Sequence, residues 1–158
     1  MTSARTFLLV PYRSSLRWML GAAAIIAAVA HIPVIAPHLD EAPYMGVLFI
    51  VLTAACFALG LAAVVRDSAA VYAAAATTCG LAVLGYAATR LVAFPMLADD
   101  VGNWLEPLGV VSVISELFVV TFSVLALVRH RSAATERREV TPGHRTAAPR
   151  PAPRALSS

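Results

Sequence analysis

The feature that most constrains this chain is the stretch over residues 108–128, LGVVSVISELFVVTFSVLALV, which carries a single charged residue, Glu116. A run of about 20 apolar residues is long enough to cross a bilayer as a helix. A carboxylate inside such a run is costly unless it finds a partner or faces a polar cavity. What the rest of the chain offers Glu116 is therefore the question that organises the reading.

Three more apolar runs predict helices over about residues 16–35, 43–65 and 69–94. With 59% hydrophobic and 13% charged residues in a chain of 158, the composition departs from that of soluble domains, near 25% charged. The expected fold class is all-α: a four-transmembrane-helix antiparallel up-down bundle, with a membrane domain over residues 16–131. Residues 1–15 form a flank, and residues 132–158, rich in Arg, Pro, Ala, Ser and Thr, are expected to be disordered.

Charge sets the expected topology. From Arg129 onward there are seven Arg and two Glu, whereas the rest of the chain holds five Arg and seven acids. The basic excess is thus a property of the tail, and it argues against a nucleic-acid partner. The N-terminal flank, the Arg66-Asp67-Ser68 turn and the tail are basic, while the other two connections hold Asp40, Glu41, Asp99, Asp100 and Glu106 and no Arg. The positive-inside rule then predicts a multi-pass plasma-membrane protein with both termini cytoplasmic and acidic connections outside. A rival reading is a signal peptide cleaved after Ala28-Val29-Ala30; the apolar run continues past Ala30, which favours a span.

Local signals refine the picture. Pro33 and Pro37 predict a kinked or frayed end to the first span. Asp40 is a candidate cap for the second helix, which Pro43 opens. Met96, Leu97, Val101, Trp104 and Leu105 have roughly helical spacing and predict a short interfacial helix, with Trp104 at headgroup level.

At 1.5 Å per residue, His31 lies about 9 Å, Arg90 about 8 Å and Glu116 about 13 Å below the outer end. Three helices thus place one ionisable group each in the outer half. The expectation is a buried Arg90–Glu116 ion pair with His31 in hydrogen-bond reach, beneath a rim of His38, Asp40, Glu41, Asp99, Asp100 and Glu106. The plainer readings are an Arg90 that snorkels to the headgroups, a protonated structural Glu116, and a His31 satisfied between helices. His31 and His38 are seven residues apart, but the prolines between them are expected to spoil their register, which weakens a metal site. Cys56 and Cys79 fall at similar depth on adjacent spans. They read as small hydrophobes or, more sharply, as a thiol pair for redox work or soft-metal binding. Haem ordinarily takes paired axial ligands in a helix bundle, and only His31 lies well inside a span.

His31 with His38-Leu39-Asp40-Glu41, the stretch from Gly46 to Phe49, Arg90 with Pro95, Glu106-Pro107-Leu108-Gly109 and Glu116-Leu117 together resemble a group of small four-helix integral membrane proteins from actinobacteria. These pieces touch all four spans. Leu91-Val92-Ala93 departs from the Thr and Gly usual after the arginine. The resemblance implies a bundle with polar residues in its outer half and no particular activity.

The function expected is a non-enzymatic membrane protein whose polar pocket binds a ligand or partner. Alternatives are a transporter or metal-handling subunit, and a redox protein using Cys56 and Cys79 or haem. No cofactor or metal is identified. The partners expected are the lipid bilayer and a second copy or another membrane protein.

Overall fold

A computed structural model describes residues 14–139, with the side chains at 130 and 133–139 outside that description. It has four α-helices: α1 (Leu16–Glu41), α2 (Pro43–Arg66), α3 (Ala69–Leu91) and α4 (Pro107–Glu139). Each contains a segment long and apolar enough to cross a membrane. Helices suit such segments because every interior backbone N–H and C=O is satisfied within the element. The residues before 14 and after 139, with most of the flank and tail, lie outside the described residues.

α1 is the most enclosed element. It buries Leu20, Ala24, Ala27 and Ala28 against Cys56 and Ala63 of α2, Tyr72, Ala75 and Cys79 of α3, and Val119 and Ala126 of α4. Its small side chains let α2 come close: a Cβ on Gly60 would lie 3.2 Å from both the Ala24 Cβ and the Gly21 carbonyl oxygen. The outward faces are apolar, with Ile26, Val29, Val51, Leu61, Val65, Leu81, Leu84 and Phe118 exposed.

Five expectations about the elements need correction. α1 does not end near residue 35; it runs through Pro33 and Pro37 to Glu41. A proline removes one helical hydrogen bond, yet the φ it imposes is helical, and the bonds around it hold the helix together. Only Ala42 then separates α1 from α2. Its N–H bonds the His38 carbonyl at 2.9 Å, and no side chain caps α2. Asp40 is therefore not the cap; it lies exposed on the last turn of α1.

α3 ends at Leu91 rather than residue 94, with Val92 extended. A proline disfavours helix in the residue before it, and Pro95 follows closely. The expected interfacial helix over Met96–Leu105 does not form. A 3₁₀ turn at Ala98–Asp100 stands in its place, between positive φ values of 63° at Met96 and 81° at Gly102. Spacing of apolar residues is not enough where Asp, Gly and Asn interrupt it.

Finally, α4 passes its apolar span and remains helical through Glu139, so residues 132–139 are not the start of a disordered tail. Their Ala, Arg and Glu residues are good helix formers.

Glu106 starts α4. Its carboxylate accepts the N–H of Leu108 at 3.1 Å and the N–H of Gly109, satisfying two of the donors that a helix leaves open at its N-terminus. At the opposite end of the bundle, Asp67 adopts a left-handed conformation (φ 41°) between α2 and α3. Its carboxylate accepts the Ser14 N–H at 2.8 Å and the Tyr72 hydroxyl at 2.5 Å, with Arg17 Nη1 3.9 Å away.

Candidate functional site

The four helices bring one polar side chain each into a common buried layer. His31 of α1, Cys56 of α2, Cys79 of α3 and Glu116 of α4 are exposed by 4%, 0%, 1% and 1%. Helical spacing explains the selection: each sits on the inward face of its helix among Ala, Gly and Val positions that permit close approach.

His31 is oriented from two sides. Its Nδ1 lies 2.6 Å from the Ala27 carbonyl, one turn back on α1. Its Nε2 lies 3.4 Å from Glu116 Oε1, at a geometry that makes no hydrogen bond. Phe49 of α2 packs against the imidazole with ring centroids 5.5 Å apart, and against His38 edge-on at 4.8 Å. The two histidines therefore keep their helical register across the prolines, contrary to expectation, and share one aromatic contact.

Cys56 and Cys79 are free thiols within hydrogen-bonding reach of each other, and both are close enough to Glu116 to interact with its charge. Thr53, one turn from Cys56, has a buried hydroxyl oxygen without a hydrogen-bond partner.

The expected Arg90–Glu116 ion pair is not formed. Arg90 Nη1 lies 2.7 Å from Asp100 Oδ1 and donates at 3.3 Å to the Asp100 carbonyl. The guanidinium also sits over the Tyr86 ring, 4.6 Å from its centroid. The physical reason is desolvation. Asp100 keeps about a quarter of its side chain in solvent, whereas an ionised Glu116 would have to give up its water completely, and a buried pair rarely recovers that cost.

The rest of the rim does not converge. Asp40, Glu41 and Asp99 are exposed, His38 is half-buried under Phe49, and Glu106 is occupied at the start of α4. Among the described residues, no group of three or more His, Cys, Asp and Glu side chains is arranged to hold a metal ion. A concavity of about 380 Å³ between α1 and α4 is lined by Ile25, Ile26, Val29, Ala30, Pro33, Leu108 and Val111, and none of the buried polar residues borders it.

Reading the sequence alone overlooks two features. The thiols are read separately from His31 and Glu116, although all four share one layer. The Asp67 cluster at the other end is missed as well; its signal is a single acid in a tight turn with a tyrosine five residues on.

Searches against models of known families, curated proteins and solved structures find no match to this chain.

Proposed function

We propose that the chain is a plasma-membrane protein of four antiparallel spans with both termini cytoplasmic, and that it acts by binding at its buried polar layer rather than by catalysis. The observation that carries this reading is the convergence of His31, Cys56, Cys79 and Glu116, one from each helix, at almost complete burial. Ionisable groups in a membrane interior are rare and usually functional. The antiparallel order is supported by contacts between consecutive helices. Gly21 meets Gly60 and Val64 near one end of the α1–α2 pair, and Leu39 meets Gly46 near the other. The orientation is supported by Arg66 at the Asp67 end and by the acids Asp40, Glu41, Asp99 and Asp100 at the Ala42 end, through the positive-inside rule.

Two measurements test the reading. A reporter that fluoresces only in the cytoplasm, fused to the C-terminus, is expected to be bright, while a periplasm-dependent phosphatase at the same place is expected to be inactive. Metal analysis of detergent-purified protein separates this reading from a metal-handling subunit. Stoichiometric metal that disappears in His31→Ala would favour metal handling instead.

A redox role is the second reading, favoured by the mutual reach of Cys56 and Cys79. Thiol labelling of unfolded protein before and after mild oxidation tests it, and loss of both free thiols together is the expected sign.

A further inference from the structure

The hydrogen-bonding capacities in the buried layer do not balance as they stand. His31 Nδ1 faces the Ala27 carbonyl oxygen at 2.6 Å. A carbonyl oxygen can only accept, so the proton of the neutral imidazole is on Nδ1 and Nε2 is left as an acceptor. Nε2 faces Glu116 Oε1 at 3.4 Å. An ionised carboxylate is also purely an acceptor. Two acceptors facing each other in a dry interior repel, and a proton carried by either one removes that repulsion.

The surroundings decide which partner carries it. Glu116 has His31 of α1 at 3.4 Å, with Cys56 of α2 and Cys79 of α3 close enough to interact electrostatically. None of these is a fixed cation. Among the described residues, Arg90 is the other buried charged side chain in this half of the bundle, and it is bonded to Asp100. A carboxylate with an imidazolium would therefore be an isolated ion pair away from water, whereas the carboxylic acid with neutral imidazole buries no net charge on either group.

A second imidazole stands between the layer and the Ala42 end. His38 lies two turns along α1 from His31, and its Nδ1 is likewise bonded to a carbonyl of its own helix, that of Val34 at 2.8 Å. It is half-buried at the Ala42 end. Phe49 packs against both imidazoles.

We propose that the ligand of the buried layer is a proton, held by Glu116 as a carboxylic acid facing His31 Nε2 and exchanged with water at the Ala42 end past Phe49 and His38. In the exchange, the Glu116 O–H bond breaks as the proton passes to His31 Nε2, leaving a carboxylate and an imidazolium. When Phe49 moves aside, the imidazolium releases the proton towards His38 and water, and the reverse path restores the acid. This proposal deepens the reading of the layer as a binding site and rests on it.

Infrared spectroscopy of the full chain in lipid nanodiscs near neutral pH tests it. The expected result is a carboxylic C=O band that shifts in D₂O and is absent from Glu116→Gln. Identical spectra for wild type and variant would overturn the proposal. If Glu116→Gln does not fold, ¹⁵N-histidine NMR of the wild type gives the answer: His31 is expected to carry a proton on Nδ1 and none on Nε2, and an imidazolium would overturn the assignment. For the route, Phe49→Ala is expected to speed the deuterium shift of the band several-fold, and Leu20→Ala, a buried truncation near the Asp67 end, to leave it unchanged. The opposite pattern would overturn the route. Loss of the proton with an unchanged C-terminal reporter result would leave the membrane reading standing, so the two failures are distinguishable.

Discussion

At the scale of single residues, solvation decides which charges pair. Arg90 takes the carboxylate that retains some water, Asp100, and adds the Tyr86 ring beneath it. Glu116 is left with an imidazole and two thiols. The same principle governs the other end, where Asp67 is buried and collects the Ser14 N–H and the Tyr72 hydroxyl. Tyr72→Phe removes one of these donors and keeps the ring. The expected effect is a loss of about 1–3 kcal/mol of folding stability, the cost of leaving a buried acceptor unsatisfied, read from equilibrium unfolding in mixed micelles. An unchanged midpoint would show that Asp67 finds another donor. Depth counting in the sequence puts His31 and Glu116 in one layer, and the structure brings them together. It does not reveal the partner of Arg90, because Asp100 reaches the guanidinium only through a 3₁₀ turn bounded by two left-handed residues. No periodicity announces such a turn.

At the scale of elements, close approach and termination matter more than propensity. α1 and α2 touch at Gly21 and Gly60, where any side chain on Gly60 would meet Ala24 and the Gly21 backbone. Gly60→Leu is expected to separate the pair and destabilise the protein by about 1–3 kcal/mol, the usual cost of overfilling a packed contact, checked by unfolding in the same micelles. The start of α4 depends on a single carboxylate. Glu106→Ala is expected to cost about 1 kcal/mol through the loss of its two backbone hydrogen bonds, while Glu106→Asp retains part of that cap. The four apolar runs were legible because hydrocarbon-facing helices leave a compositional signature that tertiary context does not alter. Their ends were less so. Prolines at 33 and 37 look like a stop in the sequence, but α1 continues through them, whereas Pro95 follows a real end. Phe49 packs against the His31 and His38 rings that flank Pro33 and Pro37, whereas the backbone is already extended at Val92, before Pro95.

At the scale of the molecule, the bundle reverses the usual distribution of polarity. Many large apolar side chains point outward, and the interior is built largely from Ala, Gly, Ser and Cys, with Leu20, Tyr72 and Val119, around the His31–Glu116 layer. Inside a bilayer such a layer resists separation of the helices, because withdrawing any one of them would leave a polar group facing hydrocarbon. The layer is also where the proposed proton would act, so on that proposal stability and function would depend on the same contacts. The most direct test of that claim is a double-mutant cycle between helices α1 and α4, with His31→Leu, Glu116→Leu and both together, followed by equilibrium unfolding in mixed micelles. If the two side chains face each other as described, the double variant is less destabilised than the sum of the singles, with a coupling of about 1–2 kcal/mol. Additivity to within about 0.5 kcal/mol would contradict the convergence of these helices on one buried site.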